Sequence, residues 1–193
     1  MFEAKYMTAA DAVKLVKSHD RIYIQGSTSI PEVLCDALAD RAGELRGVEV
    51  YSGFAIGRRE APYCRSEYRE AFFPISLFIA NSVRDAIGRG EGQCIPGFLG
   101  EIPSFFRDGL VPLDVTFLNV SPPNEEGYCS YGISADLAVS AVECSRVIIA
   151  QVNKQMPFSY GDALIHISRI DACVEVDLSL IHISEPTRHL RIS

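Results

Sequence analysis

The chain has 193 residues, is 48% apolar and carries a net charge of −7, enough for one ordinary domain with a sizeable core. The acidic balance argues against nucleic acid as partner, because phosphate-backbone binding needs clustered Lys and Arg. No apolar run approaches the ~20 residues of a membrane span, and the start "MFEAKYMTAADAVKLV" lacks the features of a signal peptide.

A cytoplasmic enzyme is therefore the expectation. The six cysteines, at 35, 64, 94, 129, 144 and 173, are never fewer than fifteen positions apart, which gives no C-x-x-C pair for zinc or redox work. Buried free thiols are expected, with no metal and no bound cofactor.

Thr8 reads as the N-cap of a helix over "AADAVKLVK". Asp20 leads into a β-rich run, "RIYIQ", which ends in "GSTS". Pro31 opens a helix, "PEVLCDALADRA", with Val33, Leu34, Ala37 and Leu38 on its apolar face. "VEVYSGF" is a second strand. The stretch 57–74 is polar and irregular, and its arginines either lace a solvated surface or meet an anionic substrate tail. "ISLFIA" (75–80) is a third strand, apolar throughout as for a strand covered on both faces. Helices come next over "NSVRDAIGRG" and over "EIPSFFRDG", the latter closed by Gly109. "LDVTFLNV" is a buried strand, and "SPPNEEGYCSYG" a long turn with its tip at Asn124–Gly127. Ser134 is expected to cap "ADLAVSAVECS". "RVIIAQVN" is the next buried strand, "KQMPFSYGD" a loop, and "IDACVEV" the last strand. The alternation predicts an α/β fold: an open, mostly parallel sheet with helices on both faces.

In such sheets ligands bind beyond the carboxyl ends of the strands. Three segments lie there. Gly26, Ser27, Thr28 and Ser29 lead from a strand to a helix start, where unpaired amides attract anionic groups; an ordinary βα turn has the same sequence. Ser121, Pro122 and Pro123 form a stiff strand exit, either a pocket wall or a surface excursion. Met156, Pro157, Gly161 and Asp162 belong to the next such loop, a pocket wall or a packing loop, with Asp162 placed to cap the segment after it. Glu125 and Glu126 read as solvated turn residues, and no Ser-His-Asp set can be assembled.

The echo of "LIHIS" at 164–168 and 180–184 is too short and isolated for a repeat architecture, and His166 and His182 have no ligand-spaced companions. "LSLIHISEPTR" (178–188) instead resembles the translation of a transposase-type sequencing adapter, which resumes in frame at the final two residues. Residues 178–193 are accordingly set apart as a non-native tail, with 1–177 the domain and the N-terminal part of a longer protein.

Three segments of that domain carry a family resemblance: "MTAADAVKLVKSHDRIYIQGSTSIPEVLCDALADR", "IPGFLGEIPSFFRDGLVPLDVTFLNVSPPNEEGYCSYGISAD" and "VIIAQVNKQMPFSYGDALIHISRID". Their order and spacing resemble the N-terminal half of the acetyl-CoA hydrolase/transferase family, which includes 4-hydroxybutyrate CoA-transferases. The resemblance implies a two-domain enzyme, homo-oligomeric at full length, with coenzyme A as substrate and the active site between related α/β halves. A glutamate in the second half would attack an acyl-CoA, become a glutamyl-CoA thioester and pass CoA to a carboxylate such as acetate. No residue here matches that glutamate, so none is assigned as catalytic; the eleven loop residues would line one wall of the pocket. The other reading is a stand-alone module that binds a phosphorylated or CoA-like ligand without turnover.

Overall fold

The computed structural model describes residues 5–54 and 60–180. Nine strands and five α-helices are found among them: α1 (Ala9–Ala12), β1 (Arg21–Ile24), α2 (Glu32–Asp40), β2 (Val48–Ser52), β3 (Phe72–Ser76), α3 (Asn81–Gly88), β4 (Gln93–Cys94), α4 (Ile102–Arg107), β5 (Val115–Val120), β6 (Tyr128–Ser130), α5 (Ala138–Cys144), β7 (Val147–Asn153), β8 (Leu164–His166) and β9 (Ala172–Val176). Seven strands form one sheet in the order β4-β3-β2-β1-β5-β7-β9, and every pairing in it is parallel.

Side chains alternate across this sheet and so build two cores. Val115 and Phe117 of β5 pack with Ile22 and Ile24 of β1 against Leu34 and Leu38 of α2 and Val83 and Ala86 of α3. Leu118 and Val120 point the other way, with Tyr23 and Ile148, toward Ile102 and Phe106 of α4 and Ala138 and Ala141 of α5. Helices therefore cover both faces, and the inner strands are buried on both sides, as the largely apolar runs "VTFLNV" and "VIIAQV" lead one to expect.

Several boundaries differ from the sequence expectation. The third strand is 72–76, not 75–80. Pro74 made "FFP" look irregular, but β4 joins β3 only from Ile75, so the proline sits where the strand has one neighbour, β2. Thr8 does cap the first helix, accepting from Asp11 N at 3.1 Å, but that helix is one turn long and continues as a 3-10 turn over Val13–Leu15. Ser134 caps nothing: α5 starts at Ala138, and the Ser134 hydroxyl meets Asp136 at 3.2 Å. The irregular 57–74 stretch is less solvated than its composition suggests. Residues 57–59 lie outside the described residues, but Ala61, Pro62, Tyr63 and Cys64 are buried.

The long turn after β5 and the loop after β7 hold a second, two-stranded sheet. In it β6 pairs antiparallel with β8, Cys129 opposite Ile165. Three-residue strands give too little periodicity to be read from sequence. Of the adapter-like tail, 181–193 lies outside the described residues. Leu178 is held at both backbone groups by the Asn153 amide, at 3.0 and 2.9 Å.

Candidate functional site at the carboxyl ends of the strands

From β1 the chain adds β2, β3 and β4 on one side, then returns to place β5 on the other. The sheet thus has its topological switch point between β1 and β5, where open α/β sheets leave a crevice for ligand. The Gly26–Ser29 turn follows β1, Ser121–Pro123 follows β5, and the Met156 loop follows β7, the next strand along.

The first turn is tightly built. A Cβ on Gly26 would stand 3.1 Å from the Phe54 carbonyl oxygen, so a larger residue there would have to push the exits of β1 and β2 a few tenths of an ångström apart. Ser27 takes a left-handed backbone, φ 54°, and its N–H donates to that same carbonyl. Ser29 N donates to Gly26 O at 3.1 Å and closes the turn ahead of α2. Ser27 and Thr28 are half-buried, and Ser29 is fully buried.

The other two exits are tied together by one hydroxyl that no sequence motif singles out. Ser130 Oγ lies 2.8 Å from Ser159 Oγ and accepts from Ser159 N at 3.0 Å and Gly132 N at 2.9 Å. Ser121 Oγ accepts from Ser130 N at 2.9 Å. Met156 is buried against Gly132, while Pro122, Pro123, Gly161 and Pro157 are exposed. Asp162 is exposed as well; it precedes the short strand β8, so there is no helix for it to cap.

Beneath the turns runs a belt of buried amides. Gln25 Nε2 donates to the carbonyls of Tyr131 and Ser134 at 3.1 and 2.6 Å, and its Oε1 accepts from Asn119 N at 2.7 Å. Gln151 Oε1 accepts from Val33 N, in the first turn of α2, at 3.1 Å. Asn119 is fully buried, and neither end of its side-chain amide has a partner; Ser29 Oγ is likewise unpartnered. All three amides lie in or just after the last residues of apolar strands, a lone polar residue near a strand's carboxyl end being the one sequence signal that could have found them. On the α2 side of the sheet a narrow, largely apolar cleft opens among Ile24, Ile30, Cys35, Ala61, Pro62 and Tyr63, with Glu32 and Ser82 also lining it.

Three buried thiols in this part of the fold are held protonated. Burial pushes the Cys64 and Cys129 thiols up to about 12 and Cys173 up to about 11. Glu101, Glu125 and Glu126 are exposed. No three His, Cys, Asp or Glu side chains gather as a metal set among the described residues. No helix among them is long and apolar enough to cross a membrane. What the arrangement can do is bind and orient through uncharged dipoles, backbone amides and a helix N-terminus.

Residues 1–184 match the model of the acetyl-CoA hydrolase/transferase N-terminal domain. The chain is 34% identical over 186 residues to a 4-hydroxybutyrate coenzyme A transferase of Clostridium kluyveri, covering 96% of this chain and 43% of that protein. It is 34% identical over 157 residues to a succinyl-CoA:acetate/propanoyl-CoA:succinate CoA transferase of Fasciola hepatica, covering 80% and 32%. The crystal structure of a 4-hydroxybutyrate CoA-transferase from Porphyromonas gingivalis superposes with a TM-score of 0.77 at 32% identity, over 91% of this chain and 40% of that one. The chain thus spans less than half the length of the relatives it matches.

Proposed function

The chain belongs to the acetyl-CoA hydrolase/transferase family, and on that premise we propose that it is the N-terminal half of a cytoplasmic CoA-transferase. The enzyme would move CoA from an acyl-CoA to a carboxylate such as acetate. The observation that carries this reading is the match of nearly the whole chain to the N-terminal portion of proteins named for that activity.

In the proposed reaction a glutamate carboxylate from the second half attacks the thioester carbonyl and expels CoA thiolate, leaving a mixed anhydride. The thiolate then attacks the glutamyl carbonyl, releasing the donor's acid and forming a glutamyl-CoA thioester. The acceptor carboxylate attacks that thioester, and the same two steps run in reverse. Each step exchanges one activated acyl group for another, which suits a carboxylate nucleophile. This half contributes one wall: Gly26–Ser29 and Ser121–Pro123 at the switch point, and Met156, Pro157, Gly161 and Asp162 beside them. The cleft beside α2 suits the apolar part of an acyl group, since its lining is mostly hydrocarbon. Homo-oligomers are the expected assembly at full length.

The test is mass spectrometry after incubation with an acyl-CoA and no acceptor. The full-length protein should gain a covalent CoA adduct that added acetate discharges, while residues 1–177 alone should gain none. A full-length protein that binds CoA yet forms no adduct and exchanges nothing would overturn the transferase reading in favour of a binding module.

A further inference from the structure

We propose that Asn119, Ser29 and the start of α2 form a seat for the small carboxylate that accepts CoA. The identity of the acid rests on the transferase reading; the seat rests on geometry.

Asn119 is fully buried with neither Oδ1 nor Nδ2 hydrogen-bonded, and Ser29 Oγ is in the same state. Buried polar groups are rarely left so, because each has given up its water for nothing. The direction of the Asn119 side chain follows from strand alternation. Val115 and Phe117 face the α2 layer, Leu118 and Val120 the α5 layer, so Asn119 faces α2. Its register partner on β7 is Gln151, whose side chain reaches Val33 N in the first turn of α2. Asn119 therefore lies beneath the N-terminus of a nine-residue helix, at the switch point of the sheet. Ser29 enters that helix from the turn after β1.

The chemistry of the seat selects the ligand. The Asn119 Nδ2 supplies two N–H donors and Ser29 an O–H; the helix end adds a partial positive charge, with the Glu32 and Val33 N–H groups already given to Ile30 O and Gln151 Oε1 and the Glu32 side chain in the same turn. Such a donor-rich niche suits the two oxygens of a carboxylate. Both side chains are sealed in this state, so the turn after β1 must shift for an acid to enter, and a small acid needs the least shift.

The experiment is thermal unfolding of the full-length protein, without CoA, in acetate and in chloride of equal ionic strength. Wild type should melt higher in acetate, in a dose-dependent way. Asn119→Leu keeps the volume and removes the orphan amide; it should melt no lower than wild type in chloride, yet need about tenfold more acetate for the same shift. Ser29→Ala should need about threefold more or beyond, and it decides the matter if the leucine variant fails to fold. An acetate response that is absent in wild type, or unchanged in Ser29→Ala, overturns the proposal and leaves the niche to an ordered water. The two readings fail separately. CoA exchange with an unchanged acetate KM in both variants sinks the seat alone. An acetate response lost in the variants, in a protein that exchanges no CoA, sinks the transferase reading and keeps the seat.

Discussion

Replacing Gly132 by alanine is a direct test of how the exit loops are held. Gly132 has φ 69°, and a Cβ placed there would overlap Met156 Sδ and stand 2.6 Å from its Cγ. The left-handed backbone costs an alanine about 1 kcal/mol. Forcing a methyl into a filled site adds about 1–3 kcal/mol, less whatever the flexible methionine recovers by moving. The variant should therefore lose about 2–4 kcal/mol, a fall in Tm of roughly 5–15 °C for a protein of this size. Urea unfolding gives the free energy, and a cycle with Met156→Ala divides it. Removing the methionine opens the space, so the double variant should be more stable than the two single losses predict, leaving mainly the backbone cost. A loss below about 1 kcal/mol, or no coupling to position 156, would refute the packing that joins the turn after β6 to the loop after β7.

Ser130→Ala removes the shared acceptor of Ser159 N and Gly132 N and should cost about 1–3 kcal/mol in urea unfolding, because buried donors lose their partner. Tyr23→Phe should do the reverse: the Tyr23 hydroxyl is buried without a partner, so its removal should leave stability within about 1 kcal/mol of wild type or raise it. Alkaline pH should destabilise the fold. Burial raises Cys64 and Cys129 from 9.0 to about 12, so these thiols keep their protons in the folded state where the unfolded chain has lost them. The stability they contribute is complete below about pH 9 and is lost as pH rises from about 9 toward 12. Unfolding free energy against pH should fall across that window, and Cys64→Ala should flatten the slope; an unchanged slope would contradict it.

The parallel sheet was legible because its inner strands are covered on both faces. "VTFLNV" and "VIIAQV" have no polar alternation, and turns and helical periods separate them. What the sequence hid has physical causes. Pro74 reads as a breaker, yet β3 tolerates it because β4 has not yet joined. β6 and β8 are three residues long and depend on each other across more than thirty positions, so no local pattern announces them. The candidate loops were found by their place at strand ends, which the pattern does report. Which of their atoms are buried, and the knot at Ser130, depend on how strands distant in sequence line up, which local pattern does not report. Pro157, Gly161 and Asp162 read as equal members of a pocket wall with Met156, but only Met156 is buried.

The polar belt at the switch point also has a chemical logic. Gln25, Asn119 and Gln151 are neutral, fully buried, and set on or beside rigid strands rather than far out on loops. A lysine or arginine there would hold any carboxylate strongly and would favour the ground state of whichever acid is bound. In a reaction that trades one acid for another, the same site must release the first and accept the second. It must also favour the charge that appears on the carbonyl oxygen between them. Neutral dipoles fixed before the reaction do this with little reorganisation, and they gain strength where water is excluded. Gln25 and the Gln151 Oε1 already bond backbone groups and so stiffen the floor of the crevice, which leaves Asn119 as the buried amide free to meet an acid under the proposed acyl exchange.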